Sequence, residues 1–295
     1  MKVTRLPDVE PRPRRVAVGT FDGVHLGHRE VIRDADTVLT FDPHPTTVVH
    51  PAAVPKLITT IDRKAELVGS LGAQEMVVIP FDADFAGRSA QSFIDDVLVR
   101  SLGATHVSVG ENFRFGHRAQ GDPAMLGADD RFETRVVQLL EADGEIVSSS
   151  HIRGLLLGGA LEYANSLLVD PFVMQGVVVH GDKRGRELGY PTANVVPDDQ
   201  YVLPGHAVYA CVAETPTGRH LAAVNVGVRP MFETGRGELI EAYLLDFDGD
   251  LYDTTLTLTF HHRLRGERRF DGVDALIEQM GRDVEETRRL LAEQV

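Results

Sequence analysis

Apolar positions in the first part of the chain come as short continuous runs, each followed by a turn and then by a stretch of helical period. Residues 15–19 (RVAVG), 37–41 (TVLTF), 76–79 (MVVI) and 105–109 (THVSV) have the length and β-branched content of buried strands. Between them, residues 63–71 and 90–102 repeat apolar side chains at helical spacing, the second with Ser89 placed to cap it. This alternation predicts an α/β domain built on a parallel sheet. A helical stretch over residues 152–168 leads to Val169-Asp170-Pro171, where the pattern changes. Residues 172–179, 208–213, 221–226, 240–245 and 256–260 are short apolar-rich runs separated by Gly, Pro and Asp turns. That spacing predicts a small antiparallel barrel or sandwich. Residues 273–291 return to helical period, with Val273, Leu276, Ile277, Met280, Val284 and Leu291 on or near one face. The expected division is therefore residues 1–170 and 171–295.

Composition narrows the function more than the fold. Of 295 residues, 43% are hydrophobic and 25% charged, which excludes a disordered chain. The net charge of −14, shared evenly by the two halves, speaks against a broad nucleic-acid surface. No 18-residue window is apolar enough for a membrane span, and residues 1–15 lack the apolar run of a secretory signal. A cytoplasmic location is the expectation. The single cysteine, Cys211, excludes an internal disulfide and a cysteine-rich zinc site. Phosphate chemistry in such a chain has to use local cations and backbone amides.

The first such place is residues 16–30, VAVGTFDGVHLGHRE. A strand runs through a glycine-bearing turn at Gly19 to His25 and His28, near the start of a helix. Helix N-termini carry free amides and a positive dipole end, so they attract phosphate. Two imidazoles three residues apart can face one phosphate, and Gly27 between them would let a nucleotide come close. Two later segments could complete the site: Ser148, Ser149 and Ser150 with Arg153 at another helix start, and Asn112 in a loop after a strand. Read alone, the serines are as well explained by an ordinary cap.

The second place is residues 180–194, HGDKRGRELGYPTAN. Gly181, Lys183, Arg184 and Gly185 make a basic, glycine-rich loop suited to phosphates. Thr192 and Asn194 then present a hydroxyl and a carboxamide on one side of an extended chain. Both are hard oxygen donors, suited to a Mg²⁺ that arrives with ATP. Glu241, taken alone, reads as an exposed strand carboxylate.

In order along the chain, GTFDGVHLGH (19–28), TFDPHP (40–45), GENFRFG (110–116) and SSSHIR (148–153) resemble the bacterial bifunctional riboflavin kinase/FAD synthetases. The kinase half of that family is resembled by residues 180–194, by NVGVRP (225–230), by IEAYLLDFD (240–248) and by LRGERRF (264–270). The resemblance implies a Rossmann-like nucleotidyltransferase domain followed by a β-barrel kinase domain with a C-terminal helix. It implies that riboflavin and ATP give FMN, and that FMN and ATP give FAD and pyrophosphate. Flavins are then substrate and product, with Mg²⁺ accompanying ATP.

By that resemblance His25 and His28 hold the ATP phosphates, and Asn112 and Arg153 orient them. Gly19, Phe21, Asp22, Gly27 and Ser148–Ser150 line the same site. Thr192 and Asn194 bind Mg-ATP, Glu241 is the general base, and Arg265, Glu267 and Phe270 lie on the flavin side. The chain departs from the family at Ser150 and His151 (commonly Thr and Arg), at Val169-Asp170 (Gly-Arg), at Met231 (Thr) and at Asp253 (Gly). The alternatives are a kinase whose adenylyltransferase half is inactive, and a flavin-binding protein without turnover.

The largest departure is length. Only residues 29–39 separate His28 from Thr40, where relatives carry a longer connection. A helix over about residues 27–33 would rise roughly 10 Å, and a five-residue strand spans roughly 16–17 Å. An extended Asp34-Ala35-Asp36 closes the gap with little slack. The expectation is a first helix of about two turns with both histidines at its phosphate-facing end. A helix so short should leave residues 37–41 more exposed than in longer relatives.

Overall fold

In the computed structural model, residues 1–181, 189–228 and 238–295 are described, and they fall into two compact units, Met1–His151 and Ile152–Val295. The first unit is α/β. Strands β1 (Lys2–Arg5), β2 (Arg14–Val18), β3 (Thr37–Asp42), β4 (Glu75–Pro80), β5 (Ala104–Gly110) and β6 (Glu133–Val137) form one sheet in the order β1-β4-β3-β2-β5-β6. Every neighbouring pair is parallel. From β2 the chain moves outward through β3 to β4, then crosses back to β5 on the other side of β2. In open parallel sheets ligands bind at that reversal, outside the carboxyl ends of the strands. The loops after β2 and β5 meet this description.

The helices are α1 (Leu26–Ile32), α2 (Pro45–Val49), α3 (Ile61–Ser70), α4 (Ala83–Ala86), α5 (Ala90–Ser92) and α6 (Pro123–Gly127). The oxygen of Ser89 caps α5 as expected, but the helix then widens to a π-helix over Phe93–Ser101. Its Phe93, Ile94, Val97 and Leu98 pack on Val16, Val18, Leu39, Val77 and Ile79 of the sheet. Helix α1 has seven residues, the two turns expected of the short connection. Asp34-Ala35-Asp36 is not extended, however. Asp34 takes a left-handed φ of 66°, and the Asp36 amide donates to the Arg15 carbonyl. Thr37 to Thr40 are buried, because β3 lies between β2 and β4 and not at an edge.

The residue run 152–168 is two helices, α7 (Ser149–Leu157) and α8 (Leu161–Leu167). Gly159 at φ 74° ends the first, and the Ala160 amide reaches back to the Leu155 carbonyl. The second unit begins at Ile152, ahead of the boundary read at Pro171. The reason is side-chain anchoring: Asn165 donates to the Phe260 carbonyl and accepts from the Phe172 amide, so α8 belongs to the barrel.

The barrel closes in the order β10-β13-β12-β11-β14-β9, from β9 (Val173–Val179), β10 (Ala193–Pro197), β11 (Ala207–Thr215), β12 (Gly218–Val228), β13 (Glu238–Leu244) and β14 (Thr255–Gly266). Every pairing is antiparallel. Ile240, Ala242 and Leu244 of β13 and Ala222, Val224 and Val226 of β12 fill the interior. Helix α9 (Val273–Leu291) lies outside, its Leu291 packed with Ala210 and Val212. Its buried side overlaps the apolar face read from the sequence only in part: Leu291 is buried and Leu276, Ile277, Met280 and Val284 are half-buried. Gln279, Asp283, Thr287 and Leu291 are buried, while Val273 is exposed. Asp253 adopts the left-handed φ of 61° that the family's glycine position requires. Met231 lies outside the described residues.

Candidate functional site

The first site grows from the end of β2. His25 is the N-cap of α1: its Nδ1 accepts from the His28 amide at 3.3 Å, while His28 Nδ1 accepts from the His25 amide at 3.4 Å. The rings stack with centroids 3.5 Å apart. Reciprocal capping settles the tautomer. With both Nδ1 atoms serving as acceptors, each neutral ring carries its proton on Nε2. Two Nε2–H donors therefore stand side by side at a helix N-terminus. Burial lowers the His25 pKa to about 4, against a smaller opposing pull from Asp22. Burial, then the neighbouring His25 and Lys64, lower that of His28. The pair waits uncharged.

Glycine at 27 has a more local reason than nucleotide approach. A Cβ there would sit 3.1 Å from Cε1 and Nδ1 of His25, so any larger residue would have to push that ring a few tenths of an ångström off the helix end. Phe21 and Asp22 support the site and do not line it openly. The Phe21 ring is buried, folds over Gly19 and meets His28 edge-on at 5.2 Å. The Asp22 carboxylate accepts the amides of Ile58 (2.9 Å) and Thr59 (3.1 Å). Ser149 donates to the Asp22 carbonyl at 2.9 Å, and Ser148 accepts the His151 amide as an N-cap does. The cap reading thus holds for Ser148, while Ser149 ties the start of α7 to the turn that carries the histidines. Ser150 is exposed, and Arg153 follows on α7 in the second unit. Asn112 is exposed in the turn after β5, its side chain folded back toward Gly110.

Two features of this unit escaped the sequence reading. Lys64 of α3 is buried, and its ammonium donates to the Thr20 carbonyl at 2.7 Å. A lysine on a helix usually reads as solvated, but 64, 67, 68 and 71 are spaced as one apolar stripe. The second feature is a chain of rings at the carboxyl ends of β3, β4 and β5. Phe41, Phe81, Phe85, Phe93, Phe115 and Phe113 follow one another at centroid distances of 5.3–6.4 Å. Phe93 and Phe115 are buried in the core and Phe41, Phe85 and Phe113 pack against it, so these rings are part of the packing beneath the strand ends.

In the barrel, register assembles the second site. Asn194 pairs with Glu241, Glu241 with Asn225, Asn225 with Val208, and Val208 with Arg265. Directly opposed residues share a face, so these five form one row across five strands. Their β13 neighbours Ile240 and Ala242 point inward, which sets Glu241 on the outer face. Cβ atoms in such pairs are about 4.5–5.5 Å apart, close enough for Asn194 and Glu241 to share one ligand. Asn225 was matched as part of a motif, but its place beside Glu241 comes only from pairing. A Cβ on Gly181 would run into the Asn194 carboxamide, so the glycine gives that side chain its room. Thr192 is half-buried just ahead of Asn194. Lys183, Arg184 and Gly185 lie outside the described residues.

In the segment that the resemblance gives to the flavin, the Glu267 carboxylate lies against Gly227, where a Cβ would strike it. Arg268 stacks on Phe270 at 4.7 Å. The Arg265 guanidinium is held by Asp283 of α9, with its Nε at 3.0 and 3.1 Å from the two oxygens and its Nη2 at 2.7 Å. Gln279 donates to the same carboxylate at 2.8 Å. Among the described residues, no group of three or more His, Cys, Asp and Glu could hold a metal ion. The hydroxyl and carboxamide oxygens of Thr192 and Asn194, beside the Glu241 carboxylate, do suit a Mg²⁺ carried by ATP.

Two family models match the chain: one described as FAD synthetase over residues 8–151, one as riboflavin kinase over residues 168–291. A bifunctional riboflavin kinase/FMN adenylyltransferase of Listeria monocytogenes is 37% identical over 290 residues, covering 94% of this chain and 92% of that protein. Its counterpart in Bacillus subtilis is 36% identical over 289 residues, with coverage of 93% and 91%. A crystal structure described as a macrolide-efflux protein from Streptococcus pneumoniae matches with a TM-score of 0.86 and 29% identity, covering 98% of this chain and 99% of that one.

Proposed function

Because the chain belongs to the family of bifunctional riboflavin kinase/FMN adenylyltransferases, we propose that it makes FMN and then FAD at two separate sites. It is a transferase of flavin cofactor biosynthesis that uses riboflavin, FMN and ATP. The adenylyltransferase work is assigned to residues 1–170 and the kinase work to residues 171–295. The observation that carries the first assignment is the reciprocal capping of His25 and His28.

In adenylyl transfer the FMN phosphate attacks the α-phosphorus of ATP, and pyrophosphate leaves. No side-chain nucleophile is needed. The two Nε2–H groups donate to phosphate oxygens as negative charge builds on them, and the α1 amides add to the same field. Asn112 and Arg153 are assigned to orient the phosphates.

In the kinase, Glu241 takes the proton of the riboflavin 5′-hydroxyl as that oxygen attacks the γ-phosphorus, and ADP leaves. Gly181, Lys183, Arg184 and Gly185 are assigned to the ATP phosphates. Thr192 and Asn194 hold the Mg²⁺ that comes with ATP, which neutralises phosphate charge. Glu267 and Phe270 are the flavin contacts. Arg265, with its fork occupied by Asp283, is assigned to orient their loop. The ATP requirement makes the cytoplasm the proposed compartment, and no helix among the described residues is long and apolar enough to cross a membrane. The pneumococcal likeness contributes fold. The curated relatives over the same span carry the chemistry.

The test is product analysis with single-site variants. His28→Ala should lower FAD synthesis from FMN by roughly 10²–10³-fold, the scale for losing one charge-stabilising donor, while riboflavin phosphorylation continues. Loss of both reactions in a folded protein contradicts the assignment.

A further inference from the structure

Two cations are buried in the first unit, and they are held differently. Arg14 is neutralised by the Glu75 carboxylate at 3.1 Å. The Lys64 ammonium instead donates to two uncharged oxygens, the Thr20 carbonyl at 2.7 Å and the Thr40 hydroxyl at 3.5 Å. Thr40, itself fully buried on β3, donates to the same carbonyl at 3.0 Å. Burying an ammonium is costly, so its position calls for a reason.

Thr20 opens the turn that carries the histidines. Within that turn Phe21 has φ 49° and Val24 φ 42°, a left-handed backbone that side-chain-bearing residues adopt only under constraint. The constraints are visible. Asp22 accepts the amides of Ile58 and Thr59, the Gly23 amide donates to Thr59 Oγ1, and Ser149 holds the Asp22 carbonyl. Lys64 and Thr40 supply the matching hold at the other end. The carboxylates of Asp22 and Asp42 favour the charged ammonium against burial, and the ammonium in turn opposes a charge on His28.

We propose that Lys64 is a positioning residue for adenylyl transfer: its buried ammonium fixes the Thr20 carbonyl, and with it the strained turn that presents His25 and His28, against strand β3. The proposal rests on the assignment of the histidine pair to that reaction.

Lys64→Met, Lys64→Arg and His28→Ala are compared in FAD synthesis from FMN and Mg-ATP across pH, with folding checked by near-UV circular dichroism. Lys64→Met should fold and lose roughly 10–100-fold in kcat, the scale for a displaced catalytic group, with KM for ATP within about 3-fold. Its acid limb should move to higher pH. Without Lys64, burial and the neighbouring His25 are left to oppose a charge on His28, which then protonates sooner and loses the Nδ1 acceptor that caps the helix. Lys64→Arg, which keeps charge and donors, should recover part of kcat. Wild-type kcat in folded Lys64→Met overturns the proposal, as does an equal loss in both variants with an unmoved pH profile. Should Lys64→Met fail to fold, Thr40→Val must lower kcat several-fold, and wild-type kcat there overturns it. Full FAD synthesis by His28→Ala overturns the underlying assignment instead, whatever Lys64 does.

Discussion

A pair of imidazoles that each give Nδ1 to the backbone has to stay neutral to keep its helix cap, and this ties the first site to pH. The folded pKa of His25, about 4, lies below the unfolded value near 6.5. Between those values the unfolded chain binds the proton and the folded chain does not. Stability is therefore complete above about pH 6.5 and declines as pH falls toward 4, by up to roughly 3 kcal/mol for this one group. Thermal melting of the apo protein across that window should show the slope, and His25→Asn should flatten it; equal slopes would contradict the burial argument. At the second site, Glu241→Gln removes the base and keeps the shape. Riboflavin phosphorylation should fall by roughly 10²–10⁴-fold, measured as FMN formed. Part of both sites was legible in the sequence: His25 and His28 sit at the helix start their motif predicts, and Asn194 lies in an extended strand. The partners were not. Asn225 joins Glu241 only through strand register, and Lys64 declared itself only by being buried.

At the scale of elements, strands with apolar runs were legible and polar ones were not. β2, β3, β4 and β5 are interior strands, and their centres match the runs read from the sequence. β1 and β6 are the sheet edges, with one buried residue in β1 and none in β6, so no run marks them. The helix face of α9 was only partly legible, for the converse reason. Its contact with the barrel is centred on an ion pair, and apolar period gives no sign of a buried carboxylate. Asp283→Asn leaves the Arg265 guanidinium without its charge partner, which should cost about 2–3 kcal/mol in chemical denaturation. It should also raise KM for riboflavin, because the Glu267–Phe270 loop begins at Arg265. An unchanged KM would show that the ion pair serves stability alone. Gly181→Ala tests a different element: the new Cβ displaces the Asn194 carboxamide, so KM for ATP in the kinase reaction should rise with little change in melting temperature.

For the whole molecule the claim is two chemistries in one chain, each complete without the other. The motif order made that legible, and the α/β and barrel classes followed from hydrophobic period. The contacts of Asn165 to Phe260 and Phe172, which join α8 to the barrel, are a long-range pairing that no local pattern encodes. On the proposed function metal enters both reactions only with ATP, so excess chelator should stop FMN and FAD formation, and added Mg²⁺ should restore them, with circular dichroism unchanged throughout. One tightly bound zinc per chain in elemental analysis would contradict this. The most direct measurement is the time course of flavins formed from riboflavin and Mg-ATP by the purified chain, resolved by chromatography. FMN should rise first and FAD should follow it in the wild type. His28→Ala should stop at FMN, and Glu241→Gln should make FAD only when FMN is supplied. A wild-type chain that stops at FMN, or forms neither product, would contradict the account.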